Sequence, residues 1–420
     1  MIIFLEFAVL SSVFFFYYRS TSAQNRPLLL VMFISTFYYG VAGPLYWIYV
    51  NDGYFLDVFW GDKIIYAASL IVAYSILYGF FVSFRFRRSP SVAIVPLRPT
   101  STGFWAMFGL AAISIAYVFV NGVALGGLNR SDPFILVFYQ FSDMCIPILL
   151  YSIARKRFST FNVVCLLVFS LYAIAVGFRY KLVLLYFPII LLLLGGEVKN
   201  ARQLRQRVVG IGIALLVLSV FSVMTLTRKK FSGVDLSALS GVGSDVALYG
   251  LFAESNIIFG LLGVLSEFVD KHHYIFFEPI FDSVLELIPK FFLAGRSTGN
   301  YLMVGANGLI SDQAINSGTA YPYFGEFLSM GGHLAAVVGV YVYACLYHRY
   351  SSLSRVAGAV NKDFITVGLG VLAVFFGYYN FSRGYLPQSV KGFIFVVLPY
   401  FYLISRHYRR VRLVNSDNLL

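Results

Sequence analysis

Apolar runs of roughly 18 to 25 residues recur along nearly the whole of this chain, and each is long enough to cross about 30 Å of hydrocarbon as an α-helix. Backbone N–H and C=O groups find no water inside a bilayer, so such runs must close their hydrogen bonds within the segment, as helices do. Composition points the same way. Of the 420 residues 59% are hydrophobic and 18% aromatic, and the mean hydropathy is +0.78, well outside the balance of a soluble domain. The expected fold is all-α: a polytopic integral membrane protein with eleven spans, near residues 2–18, 27–50, 64–84, 103–121, 133–154, 160–178, 182–195, 208–227, 321–347, 364–382 and 388–405. The first and seventh runs are short.

Lys and Arg concentrate in cytoplasmic loops, which orients the chain. The clusters RFRR (85–88), RKR (155–157), KNARQLRQR (199–207), HRYSSLSR (348–355) and SRHYRRVR (405–412) all fall on one side of this span count. About 20 of the 32 basic residues lie there, against only Glu197, Asp363 and Asp417 among the acids. That side is assigned to the cytoplasm. The N-terminus is then outside and the first run an uncleaved span, with a signal peptide ending at TSA (21–23) as the alternative. The net charge of +13 reads as topology and as anchoring beside anionic lipid. No basic-aromatic module or soluble domain is present to bind nucleic acid. Cys145, Cys165 and Cys345 sit inside predicted spans and read as packing residues, not as a disulfide framework. Nor is there a GxxxxGK[ST], HExxH, CxxC or GxSxG motif to support ATP hydrolysis, zinc chemistry or a serine hydrolase.

Three regions follow: an N-terminal bundle of about eight spans (1–227), a large outer loop (228–320), and a C-terminal bundle of about three spans with a basic tail (321–420). Within the loop, NIIFGLLGV (256–264) is too short to span. In EPIFDSVLELIPK (278–290), Glu278, Asp282, Glu286 and Lys290 recur every four residues and draw one polar stripe, with Phe281, Leu285 and Ile288 towards another face. That predicts an amphipathic helix at the outer membrane surface; an embedded hairpin of 249–269 plus 274–293 would preserve the same topology. Residues 295–327 are rich in Gly, Ser, Asn and Tyr, and read either as a solvated linker or as a loop that covers a substrate and stacks on sugar rings.

Two constellations carry chemistry. In GFRYK (177–181), Arg179 and Lys181 interrupt an apolar run, and residues 161–194 are too few for two full crossings and a turn. Arg179 therefore lies at or below headgroup level, where an unpaired charge costs at least a few kcal/mol. Its partner is either a structural carboxylate such as Asp143, or the interface reached by snorkelling, or an anionic headgroup. Arg130, the run Arg228, Lys229 and Lys230, and Arg296, Arg383 and Lys391 share that outer side against the positive-inside tendency. A diphosphate would account for them, since guanidinium forks bind phosphate oxygens bidentately. The second constellation is Glu326 and His333 in the ninth span, seven residues apart and hence on one helix face about 10 Å apart. They read as a proton relay, a general base pair or a polar core contact; His272 and His273 are rival bases. A lone His-His pair is no metal signal.

The architecture, with GFRYK, AYPYFGEFLSMGG (320–332, with Gly325, Glu326, Gly331 and Gly332) and SRGY (382–385), resembles the bacterial oligosaccharide repeat-unit polymerases, the O-antigen polymerases of Wzy type. The Arg-x10-Gly loop signature of some members is absent, since Asn307 stands at that spacing from Arg296. The resemblance implies a GT-C-like, inverting, metal-independent glycosyltransferase of the bacterial inner membrane, with its active site facing the periplasm. It would move a growing glycan from undecaprenyl diphosphate onto a new undecaprenyl-diphosphate-linked unit, with no cofactor, and with a chain-length regulator and a flippase as partners. By the same resemblance Arg179, Arg296 and Arg383 would hold the diphosphate with Lys181 as helper. Glu326 would serve as base, with His333 or His272 as alternatives, and Tyr301, Tyr321 and Tyr323 would stack on sugars. Three other readings stand beside it. An O-antigen ligase would favour His272 or His273 as base. A polyprenyl-phosphate-sugar transferase would use an acid of the first outer loop, which offers Asp52, Asp57 and Asp62. A lipid-linked oligosaccharide flippase would show two related halves, and no duplication is visible.

Overall fold

The computed structural model describes residues 2–23, 25–55, 58–84, 92–96, 102–121, 123–124, 127–128, 133–156, 158–177, 179–194, 200–229, 233–234, 252–288, 321–358, 361–380, 386–406 and 408–412. Helices dominate among them, in chain order α1 (Ile2–Ser20), α2 (Arg26–Tyr49), α3 (Asp62–Ser83), α4 (Thr102–Asn121), α5 (Pro133–Ser142), α6 (Cys145–Lys156), α7 (Thr160–Val176), α8 (Arg179–Leu194), α9 (Ala201–Thr227), α10 (Ile257–Val269), α11 (Glu278–Leu285), α12 (Tyr323–Gly358), α13 (Lys362–Tyr379) and α14 (Leu386–Ser405). Nine stretches of this set are long and apolar enough to cross a membrane, with α5 and α6 sharing one of them. The protein is thus an all-α, multi-pass membrane protein. The longest strands are one antiparallel pair, Val92–Pro96 with Tyr408–Arg412, which ties the first basic loop to the C-terminal tail.

Packing separates central from peripheral helices. Helix α8 lies between α9 and α13, and α12 packs on both α13 and α3. Both faces of these helices are apolar because one meets protein and the other lipid. Leu167, Leu171, Leu215 and Leu218 are accordingly exposed on α7 and α9, while Val371, Leu372 and Val374 of α13 are fully buried. Where α8 carries Pro188, α13 presents Gly370; a Cβ there would come within 2.8 Å of the Pro188 backbone, so the close approach depends on glycine.

Helices α7 and α8 are short, 17 and 16 residues, or about 24–26 Å each by helical rise. Gly177 ends α7 in the left-handed conformation (φ 77°), its N–H reaching back to Ala173 and Ile174. The shortage of residues for two full crossings is thus met by short helices. The seventh span begins at Arg179, three residues before its expected start at 182.

The outer loop is only partly extramembrane. Helix α10, set aside above as too short to span, is buried throughout Ile257–Leu265. Phe259 packs edge-on against Trp47 (5.2 Å), Trp47 Nε1 donates to Ser255 Oγ (2.9 Å), and Phe252 stacks on Tyr46 (5.1 Å). Helix α11 is amphipathic as predicted, and its polar side faces the protein. Asp282 and Ser283 are buried while Ile280, Phe281 and Val284 are exposed, as suits a helix whose apolar face meets lipid. Glu286, just past α11, pairs with Lys391 of α14.

Candidate functional site

Three broken or terminating helices assemble polar side chains at the end of the bundle opposite the basic clusters. The first break separates α5 from α6 at Asp143 and Met144. Lys181, fully buried, reaches into it: its Nζ lies 2.5 Å from Asp143 Oδ1 and donates to Ser142 Oγ at 3.1 Å. A cation at the C-terminal end of α5 also complements that helix dipole. Rings complete the enclosure, with Tyr139 3.7 Å and Tyr172 5.3 Å from the ammonium. Tyr172 and Tyr180 extend the network, through Tyr172–Ser142 (2.8 Å), Tyr180–Tyr139 (2.9 Å) and Tyr180 to Asp143 Oδ2 (3.4 Å). For Lys181 the structural carboxylate named above is the partner. The ammonium expected as a helper in holding a diphosphate is thus engaged with Asp143 and Ser142 inside the bundle.

Arg179 is the first residue of α8 and only 8% exposed. Beside it the Tyr180 ring contacts Tyr379 (5.3 Å), at the end of α13, and Tyr379 donates to the Gln388 carbonyl of α14 (3.3 Å). From Tyr379, ring contacts run through Phe375 (5.5 Å) and Phe376 (5.2 Å) to Tyr343 of α12 (6.0 Å) and on to Tyr323 (5.5 Å), the first residue of that helix. Glu326 is wholly buried in the first turn of α12, where Tyr321 donates to its Oε2 at 2.8 Å. A continuous run of contacts thus joins the start of α8 to the start of α12. Arg383 sits in the α13–α14 connection, and Arg296 and Tyr301 in the outer loop; all three lie outside the described residues.

The second constellation requires correction. Glu326 and His333 do not share one helical face, because α12 breaks between them: Gly331 (φ −176°, ψ 33°) and Gly332 (φ 66°, ψ −156°) leave the helical conformation. The break is filled from the outer loop. Ile275 N–H donates to Ser329 O (3.0 Å), and Tyr274 Oη lies where a Gly332 side chain would start. Backbone freed in this way is tolerated in a membrane only where protein covers it. Beyond the break His333 is exposed and hydrogen-bonds Tyr74 through Nδ1 (2.8 Å), apart from buried Glu326. His272, with positive φ (55°), bonds Tyr274 at 3.3 Å, so the loop histidine sits near the break and not beside Glu326. Tyr323 is a core residue, ringed by Tyr78, Phe324 and Tyr343, and offers no face to a sugar; Tyr321 is the partner of Glu326.

Substitution of the two glycines should separate their roles. Gly332→Ala places a Cβ 3.0 Å from Tyr274 Oη at a backbone conformation (φ 66°, ψ −156°) that is essentially reserved for glycine and costs another residue about 1–3 kcal/mol. Gly331→Ala has an extended φ and meets only Ala335 at 3.2 Å. Melting of the purified protein in detergent is expected to fall clearly for Gly332→Ala and little for Gly331→Ala; equal effects would refute the docked break.

Asn380, at the end of α13, was not singled out from the sequence. It is fully buried, and neither its Oδ1 nor its Nδ2 has a hydrogen-bond partner. Its only sequence signal was adjacency to the SRGY segment.

No protein family, curated protein or solved structure is found to match this chain.

Proposed function

We propose that the protein polymerises undecaprenyl-diphosphate-linked oligosaccharide repeat units at the periplasmic face of the bacterial inner membrane, as an inverting glycosyltransferase. The observation that carries this reading is the run of ring contacts from Tyr180, beside the buried Arg179 at the start of α8, to Tyr323, in the same first turn of α12 as the buried Glu326. Burial makes fixed charge effective: in a site closed to water, a guanidinium aimed at a developing diphosphate stabilises it far more than in solution. In the proposed step an acceptor hydroxyl attacks the anomeric carbon, the bond to the diphosphate oxygen breaks, and the hydroxyl proton passes to Glu326. Arg179, with Arg383 from the adjoining connection and Arg296 from the outer loop, takes the charge that grows on the leaving diphosphate. Tyr321, which donates to Oε2, orients the Glu326 carboxylate.

Glu326→Gln tests the base. It keeps the size and the Tyr321 contact of the side chain but cannot accept the proton. Polymer ladders on lipopolysaccharide gels are expected to fall by about 10²–10⁴-fold in rate, with protein in the membrane at its normal amount. Retained ladders would reassign Glu326 to a packing role. A second reading, ligation of the finished glycan, draws on one observation, the docking of the His272–Tyr274 loop against the α12 break. Cells lacking the gene distinguish the two: core with a single repeat unit marks a polymerase, bare core a ligase.

A further inference from the structure

A groove of about 700 Å³ opens on the membrane-facing side of the bundle between α7, α8 and α9, within the size range of small-ligand sites, about 300–1,000 Å³. Its lining has a direction. Phe158, Leu193, Arg205 and Gln206 form one end, at the basic side of the membrane; everything beyond is apolar except Ser170 and Tyr186, whose hydroxyls bond each other at 2.7 Å and ask for no partner. At the opposite end Leu182, which lines the groove, packs with buried Ala173 and Met224.

We infer that this groove is a binding site for one anionic phospholipid of the cytoplasmic leaflet, its acyl chain lying along α8 and its phosphate held by Arg205 and Gln206. The polarity of the lining selects the class: a single charged contact at one end and hydrocarbon elsewhere suit an amphiphile entering head-first from the basic side only. Length agrees. Arg205 to Val220 covers about 22 Å of helix, and half a bilayer with its headgroup layer is about 20–22 Å. Charge agrees as well, since Arg155 and Lys156, exposed at the end of α6, add positive potential just before Phe158. A lipid whose phosphate sat at the opposite surface would find no polar group at its end of the groove.

The test uses delipidated full-length protein in detergent, titrated with dioleoyl phosphatidylglycerol, dioleoyl phosphatidylethanolamine or a polyisoprenyl phosphate and read by native mass spectrometry. One equivalent of phosphatidylglycerol is expected to bind, with about fivefold preference over phosphatidylethanolamine from a single Arg contact. Arg205→Ala should remove that preference and Arg205→Glu reverse it; the position is exposed, so folding is not at stake. Val217→Trp, which fills the groove, should abolish the bound equivalent, whereas Leu218→Trp, exposed outside the lining, should leave it. The inference is overturned if Val217→Trp binds like wild type, if Arg205 substitutions leave the headgroup preference unchanged, or if polyisoprenyl phosphate outcompetes phosphatidylglycerol for the equivalent that Val217→Trp removes.

Discussion

Replacement of Arg179 by alanine is expected to abolish repeat-unit polymerisation while the protein remains in the membrane. The side chain opens α8 and is 8% exposed, and the next two residues, Tyr180 and Lys181, are locked into the Asp143 network. Such support fixes the α8 start independently of Arg179, so its loss should act on the reaction more than on the fold. Removing one group that stabilises transition-state charge typically slows catalysis about 10²–10³-fold. A polymer built by repeated transfers falls further, because each chain needs many turnovers. Arg179→Lys keeps the charge but loses the planar fork, and should restore only part of the polymer. The measurement is a lipopolysaccharide gel beside a membrane immunoblot. Wild-type ladders in Arg179→Ala would end the anion-binding assignment, and loss of the protein from the membrane would recast Arg179 as structural.

What the sequence made legible follows from which interactions are local. Span positions are governed by backbone satisfaction in hydrocarbon, a property of consecutive residues, and nine of the eleven expected runs are helices long and apolar enough to cross, whereas the sixth and seventh, α7 and α8, are only 17 and 16 residues long. Asp143 was in view for a related reason, as one of three candidate partners of Arg179, because a membrane-embedded cation needs an anion; its pairing with Lys181 is set by how the helices pack. The break in α12 was not legible, although Gly331 and Gly332 were in view. Two glycines permit a break without requiring one, and what occupies it, Tyr274 and Ile275, comes from more than fifty residues away. The place of helix α10 was left open, as a segment too short to span or as half of an embedded hairpin, for a similar reason: a short apolar run carries no information on whether a bundle will enclose it. The tyrosines were the least readable. With 31 of them in the chain, residue type alone cannot tell Tyr323, closed in the core, from Tyr321, which holds Glu326, because register against other helices decides.

The buried Asp143–Lys181 pair yields the largest expected effect on stability and the clearest division between support and catalysis. Removing one partner leaves a charge uncompensated at zero or near-zero exposure, which costs about 3–5 kcal/mol. Asp143→Ala and Lys181→Met alone should therefore lower melting in detergent strongly and reduce the amount of protein in the membrane. Removing both charges together should recover much of the loss, since a buried ion pair replaced by apolar groups of similar volume is often neutral. The paired variant is Asp143→Leu with Lys181→Met. Tyr139, Tyr172 and Tyr180 remain around it, with Ser142 still bonded to Tyr172, so no new charge is stranded. If Lys181 only positions Arg179, the double variant polymerises glycan at a rate close to wild type once corrected for protein amount. If Lys181 itself touches the departing diphosphate, the double variant is as stable as expected and still inactive. The two outcomes separate because stability depends on the pair, whereas transition-state binding depends on the cation alone.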